Sequence, residues 1–263
     1  MTCPATPEIV PLMKALAKRL LNRLGYTISR TSTDTSSGPS AYDQDGLWSV
    51  HNHDFMKDPA FARAYDRGCR ADGDHGIHWR VHIAIWSAAT ALRLPGDFVE
   101  CGVNKGFVSS AIMEYVHWNT LNRTFYLLDT FAGQNPAYSS PAEMKQHEAF
   151  IKKGYYTTDA AAVVRNFSEW HNVRIIQGTV PETLRQISSP AIAYLHLDMN
   201  CVGPEIAAIE YLWDRLVPGA IVLLDDYAYS GFEPHKRAYD DFASRHELLV
   251  ASLPTGQGLL IRP

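Results

Sequence analysis

Hydrophobic residues recur along this chain with two different periods. Near the start, Ile9, Leu12, Met13, Leu16, Leu20 and Leu24 follow helical spacing, with Lys14, Lys18, Arg19 and Arg23 between them. That pattern predicts a basic amphipathic helix over residues 8–24. Residues 29–40 are Ser/Thr-rich, with Gly38 and Pro39, and read as a linker or mobile loop. Residues 42–76 are aromatic, acidic and His-containing, with a short helix expected at 59–67. A firmer helix is expected over 77–92, ended by Pro95-Gly96.

From residue 97 onward the pattern alternates. Short apolar runs predict strands at 98–102, 124–128, 173–177, 191–197 and 219–224. Helical spacing is expected between and after them, at 107–117, 141–152, 158–170, 204–216 and 233–245. Near-continuous apolar strands alternating with helices mean an α/β fold whose mostly parallel sheet is covered on both faces. The last two strands, 247–253 and 259–262, are joined by a short loop and must be antiparallel. No internal repeat is visible.

Composition narrows the class. The 263 residues are 46% hydrophobic and 20% charged, which excludes a wholly disordered chain. A net charge of -4 argues against a general nucleic-acid binder. No run of about 18 apolar residues occurs, so no transmembrane helix is expected. The N-terminus lacks the pattern of a secretory signal. Cys3, Cys69, Cys101 and Cys201 are widely spaced and form no CxxC pair, which fits a reducing cytoplasm.

Candidate chemistry gathers at the strand ends. Glu100, Gly102 and Gly106 stand where the 98–102 strand turns into a helix. Glycines there allow a tight turn and a close ligand approach. The spacing matches neither GxGxxG, since position 104 is Asn, nor a P-loop, so NAD and nucleotide-triphosphate sites are disfavoured. Asp129 ends the next strand, where an acid can hydrogen-bond the hydroxyls of a ribose. Asp198 follows the fourth strand, and Asp225-Asp226 the fifth. Adjacent parallel strands would bring these three acids together, and their mutual repulsion calls for a cation or protons. Oxygen ligands alone suit Mg²⁺ or Ca²⁺.

The segments FVECGVNKG, FYLLDTFAG, VRIIQGTVPETL, LHLDMN and VPGAIVLLDDYAYSG resemble, in order and spacing, the macrocin O-methyltransferase family. These are class I methyltransferases dependent on S-adenosylmethionine. The resemblance covers about residues 77–263. It implies a Rossmann-like three-layer sandwich, a seven-stranded sheet with a reversed last strand. It implies metal-assisted methylation of a hydroxyl, often on a sugar. Carried over, Glu100, Gly102 and Gly106 match the methionine-side loop, Asp129 the ribose-binding acid, and Gly178-Thr179 the loop near the adenine. Asp198, Asp225 and Asp226 match the Mg²⁺-binding acids, with Asp198 also a cofactor contact and the candidate base. One position departs: the family commonly has D-x-D-x-Y after the fourth strand, and this chain has Asp198-Met-Asn200-Cys.

The resulting expectation is a cytoplasmic O-methyltransferase acting on a sugar, glycan or other small natural product. Residues 1–76 are expected to be an extension and lid segment, 77–263 the catalytic domain, and 132–157 an insertion that covers the substrate. Tyr138, Tyr155 and Tyr156 lie in that insertion, and Trp48, Phe55, Tyr65 and Trp79 before the sheet. His78, with His75 and Arg80 near it, is a further candidate for contacting the cofactor carboxylate or the acceptor, while His196 is expected to pack. The 8–24 helix is expected to dock on its own domain or on a second subunit of a homo-oligomer, with weak membrane-surface contact as the lesser reading. The alternatives are an NAD-dependent oxidoreductase and a non-catalytic adenosine-ligand binder.

Overall fold

A computed structural model describes residues 41–263. The expected 8–24 helix, the 29–40 linker and Cys3 lie outside the described residues. The chain begins there with a hairpin, β1 (Tyr42–Gln44) and β2 (Leu47–Ser49). Asp45 and Gly46 form its turn, both at positive φ (50° and 72°). Asp-Gly is the residue pair that a two-residue hairpin turn favours, because both positions need φ above zero.

Helix α1 (Pro59–Asp72) runs a turn beyond its expected end and is capped by Asp58, whose carboxylate accepts from the Ala60 amide. Helix α2 (His78–Ala91) follows. The sheet then begins with β3 (Asp97–Cys101), α3 (Phe107–Tyr115) and β4 (Phe125–Asp129). Helix α4 (Pro141–Lys152) lies as expected, fixed at its start by a capping box between Ser140 and Glu143. Helix α5 (Ala160–Asn166) is shorter than expected, since Phe167 and Trp170 leave the helix to fill the core. Next come β5 (Val173–Gln177), β6 (Ile192–Leu197), α6 (Val202–Leu212) and β7 (Leu216–Leu224). Helix α7 (Glu233–Arg245) and the strands β8 (Ala251–Ser252) and β9 (Gly258–Ile261) complete the chain.

The seven-stranded sheet has the order β5-β4-β3-β6-β7-β9-β8. The first five strands are parallel, and β9 is antiparallel to both β7 and β8. Strand order reverses between β3 and β6, which opens a crevice beyond their carboxyl ends. Side chains on β3 alternate: Phe98 joins the core against α1, α2 and α3, while Val99 and Cys101 join the core against α6 and α7. Glu100 therefore points to the α2 side, as does its register partner His196 on β6.

The expected boundary near residue 77 is not a structural break. Residues 41–263 form one unit. Phe61, Ala64 and Tyr65 of α1 share a core with Val81, Ile85 and Phe107. Gly68 lets α1 approach α3, because a Cβ there would meet the Phe107 ring at 2.7 Å. Among the described residues Cys69, Cys101 and Cys201 are free thiols, and no helix is long and apolar enough to cross a membrane.

Candidate active site

The carboxyl ends of β3, β4, β5 and β6 surround a cavity lined by Gly102, Asp129, Gly178, Thr179 and Asp198. Five of the residues expected to bind the cofactor thus meet in one place. Glu100 and Gly106 do not line it. Glu100 is 2% exposed, with Oε1 2.9 Å from His196 Nδ1, because strand alternation turns it into the core. Gly106 starts α3 at φ 89° and lies against the Phe167 ring, so its role is backbone geometry and packing.

Gly102, besides lining the cavity, makes a close backbone contact. At φ 94° it brings β3 against β6 so closely that a Cβ would sit 1.9 Å from the Asp198 carbonyl oxygen. Asp129 also serves the loop itself. Its Oδ2 accepts from the amides of Val103 (2.9 Å) and Asn104 (2.8 Å), and its Oδ1 from Phe131 (2.7 Å). Each carboxylate oxygen offers about two acceptor positions, so Oδ1 has one to spare.

The 132–157 insertion covers this cavity rather than a separate one. His147 and Tyr156 line it and stack on each other at 5.0 Å. Gln134 donates to the Asn200 carbonyl (2.6 Å), and Glu143 Oε1 accepts from the Val202 amide (2.8 Å). Asn104 clamps the far end: its Nδ2 donates to the Tyr155 carbonyl (2.7 Å) and its Oδ1 accepts from the Thr157 amide (2.9 Å). That Asn was read from sequence only as a missing glycine.

Asp198 is half-buried and connects the cavity to the acid cluster. Burial, with Asp225 and Asp226 beside it, pushes its carboxyl well above the usual range. Asp225 and Asp226 are each 6% exposed. Burial alone would raise Asp225, but Arg80 and His196 outweigh it and hold the carboxyl low. Asp226 is pushed up to about 7 by burial, against the pull of Arg80. Burial would lower His196, yet Asp225 and Glu100 raise it to about 10.

Two basic side chains, Arg80 and His196, face this cluster. Arg80 Nη2 donates to Asp225 Oδ2 and, at 3.2 Å, to Asp226 Oδ1. Gln257 Nε2 donates to Asp225 Oδ1 at 2.8 Å, and His196 Nε2 is 3.6 Å from the same oxygen. One ligand atom each from His196, Asp198 and Asp225 falls within a 4.8 Å sphere of mutual distances, which differs from the all-acid set expected. His78 instead stacks on Tyr65 at 3.8 Å and meets Gln44 Oε1 at 2.8 Å, away from the cavity.

Residues 81–252 match the family model described as Macrocin-O-methyltransferase (TylF). The chain belongs to this family. Family relatives include mycinamicin III 3''-O-methyltransferase of Micromonospora griseorubida, 27% identical over 171 residues, covering 60% of this chain and 65% of that protein. Another is the 8-demethyl-8-(2,3-dimethoxy-alpha-L-rhamnosyl)-tetracenomycin-C 4'-O-methyltransferase of Streptomyces olivaceus. It is 30% identical over 164 residues, covering 58% of this chain and 60% of that protein. The matches span less than two thirds of these relatives. Among solved structures, the O-methyltransferase NovP aligns with TM-score 0.60 and 20% identity, over 70% of this chain and 79% of that one. The calicheamicin methyltransferase CalS11 aligns with TM-score 0.52 and 14% identity, over 86% of this chain and 99% of that one. At these identities the likeness establishes the class I methyltransferase fold.

Proposed function

We propose that this protein transfers the methyl group of S-adenosylmethionine to a hydroxyl on the sugar of a small-molecule glycoside. The observation that carries the reading is the position of Asp198. It borders the cavity that Asp129 and Gly178-Thr179 also line, and it lies beside His196 of β6 and the buried Asp225 at the end of β7. Family membership supports the chemistry, and the sugar-modifying relatives named above support the acceptor class.

S-adenosylmethionine, when bound, supplies an electrophilic methyl on a sulfonium. The remaining work falls to this chain. Asp129 offers its free acceptor position to the ribose, and Gly178-Thr179 border the adenine. Gly102 belongs to the methionine side of the pocket. His147 and Tyr156 close over the pocket and exclude water. Catalysis here is largely positioning, holding the acceptor oxygen in line with the S–CH₃ bond. Asp198, the carboxylate that borders the pocket, takes the hydroxyl proton as general base.

The resemblance implies Mg²⁺ on Asp198, Asp225 and Asp226. As arranged, this donor set does not fit the ion. Each Asp225 oxygen already accepts a side-chain hydrogen bond, from Arg80 or Gln257, and Arg80 also donates to Asp226 Oδ1, so a guanidinium already supplies the positive charge an ion would bring. Asn200 stands where the family commonly has a second acid after β6, and its Nδ2 donates to Asp198 Oδ1 at 3.3 Å. No step of the proposed reaction passes through a metal ion.

The test is calorimetry with S-adenosylhomocysteine and with NAD⁺, followed by a glycoside panel read for the mass gain of one methyl group. Binding of the first ligand alone, with methylation of a glycoside, is expected. Binding of NAD⁺ alone would overturn the reading in favour of an oxidoreductase. Binding of the homocysteine nucleoside with no transfer to any hydroxyl acceptor would favour a non-catalytic binder.

A further inference from the structure

The methyl-transfer reading assigns no part to Arg80. This residue sits in the first turn of α2, 145 positions before Asp225. Besides its bonds to both carboxylates, Nη2 lies 3.2 Å from the Asp225 carbonyl oxygen. Its Nε is 4.0 Å from Asp45 Oδ2 in the β1–β2 turn. The Tyr229 ring covers the guanidinium at 5.0 Å. Tyr229 is itself oriented by donating to Asp45 Oδ1 at 3.0 Å. The side chain of Arg80 is 14% exposed. Gln257 completes the shell, with the Arg80 carbonyl and Asp225 Oδ1 both within reach of its amide.

We propose that the Arg80 guanidinium is the permanent cation of this acid cluster, standing in the place of a divalent ion. The inference rests on the methyl-transfer reading for its chemical purpose, but the cation assignment is testable without an acceptor. A guanidinium is always protonated, and its planar fork matches carboxylates. Mg²⁺ demands near-octahedral oxygen ligation at about 2.0–2.1 Å. An ion so placed would displace Arg80 from Asp225 and leave a buried guanidinium beside it with like charge.

The substitution changes the chemistry in a definite way. A guanidinium is no Lewis acid, so it cannot lower the acceptor's pKa by coordination. It can hold a positive field beside the oxygen as negative charge develops there. The acceptor O–H bond breaks and its proton passes to the Asp198 carboxylate. The new O–CH₃ bond forms as the S–CH₃ bond breaks, and the sulfonium becomes neutral S-adenosylhomocysteine. Arg80 is unchanged at the end, and a chelator has nothing to remove.

The experiment is titration of the full chain with Mn²⁺, following free Mn²⁺ by electron paramagnetic resonance. The wild type is expected to bind no stoichiometric ion below about 1 mM, weaker than dedicated oxygen sites in proteins. Arg80→Ala frees the carboxylates and is expected to gain one site, lost again on adding Asp225→Asn. Arg80→Lys keeps a cation and is expected to gain none. Millimolar Mg²⁺ should raise the melting temperature of Arg80→Ala and not that of the wild type. One Mn²⁺ bound tightly by the wild type and abolished by Asp225→Asn would overturn the proposal, whether or not Arg80→Ala folds. Failure to bind S-adenosylhomocysteine would instead defeat the methyl-transfer reading and leave the cation assignment standing.

Discussion

Gly102 and Asp198 touch through their backbones: a Cβ on residue 102 would lie 1.9 Å from the Asp198 carbonyl oxygen. The contact joins β3 to β6 at the point where strand order reverses, so it sets the width of the crevice. Gly102→Ala meets both this clash and the penalty of φ 94°. Backbone cannot swing aside as a side chain can, and a loss of about 3 kcal/mol or more is expected. Urea denaturation checks it, and a variant within about 1 kcal/mol of wild type would refute the steric argument.

Asp129 holds three backbone amides, and the proposed function has it bind the ribose as well. Asp129→Ala removes both functions and is expected to weaken S-adenosylhomocysteine binding by about 1–3 kcal/mol. Calorimetry measures it. Unchanged affinity would show that the carboxylate serves the loop alone.

Asp198→Asn retains shape and loses the base. Turnover on an identified acceptor should fall by about 10²–10⁴-fold while S-adenosylhomocysteine affinity changes little. Parallel loss of affinity and turnover would assign Asp198 to binding.

Glu205 gives the fold a pH dependence. It is 2% exposed at the start of α6, accepting from the Met199 amide (2.9 Å) and the Tyr239 hydroxyl (2.9 Å). Burial raises its pKa from 4.5 to about 7 despite those donors. A raised carboxyl favours folding fully below about pH 4.5, and the benefit is lost as pH climbs through about 7. The difference amounts to at most about 3 kcal/mol. His235 Nε2 lies 3.8 Å away, and burial lowers its pKa, so it does little to hold the Glu205 carboxylate ionised. Glu205→Gln should therefore lose less stability than wild type between pH 5 and pH 8, as read by denaturant midpoints. Parallel curves for the two proteins would refute the assignment.

Hydrogen bonds of Asn104, Gln134 and Glu143 hold the insertion over the cavity proposed to bind the cofactor. Saturating S-adenosylhomocysteine is expected to slow amide exchange across residues 134–157. At a hundredfold excess over Kd, ligand linkage is worth about 2.7 kcal/mol of protection against openings that release the ligand. Asn104→Ala should speed exchange at Tyr155 and Thr157 before ligand is added. Exchange unaffected by ligand would separate the insertion from the pocket.

The sheet was legible because its buried strands are continuous apolar runs, and α4 from its helical spacing, which the Ser140–Glu143 capping box fixes in the structure. Strand ends also located Asp129, Asp198, Asp225 and Asp226, since side chains there must emerge at one edge. Glu100 was misplaced because a residue one step inside the edge turns into the core. It took its partner from β6, in a register no local pattern displays. Arg80 was visible only as a neighbour of His78, and its pairing with Asp225 and Asp226 depends on how α2 packs against β7. The Asp45-Gly46 turn carried a readable signal that aromatic and acidic neighbours obscured.

The positive and negative halves of the acid cluster come from opposite ends of the described chain, Arg80 ahead of the sheet and Asp225-Asp226 near its close. Recombination between this protein and a relative therefore meets a constraint unrelated to secondary-structure boundaries. A single crossover anywhere between residues 80 and 225 separates matched charges and delivers each parent's carboxylates to the other's helix. Single crossovers outside that interval inherit the set intact, and so do paired crossovers that both fall inside it, such as a pair flanking the 132–157 insertion.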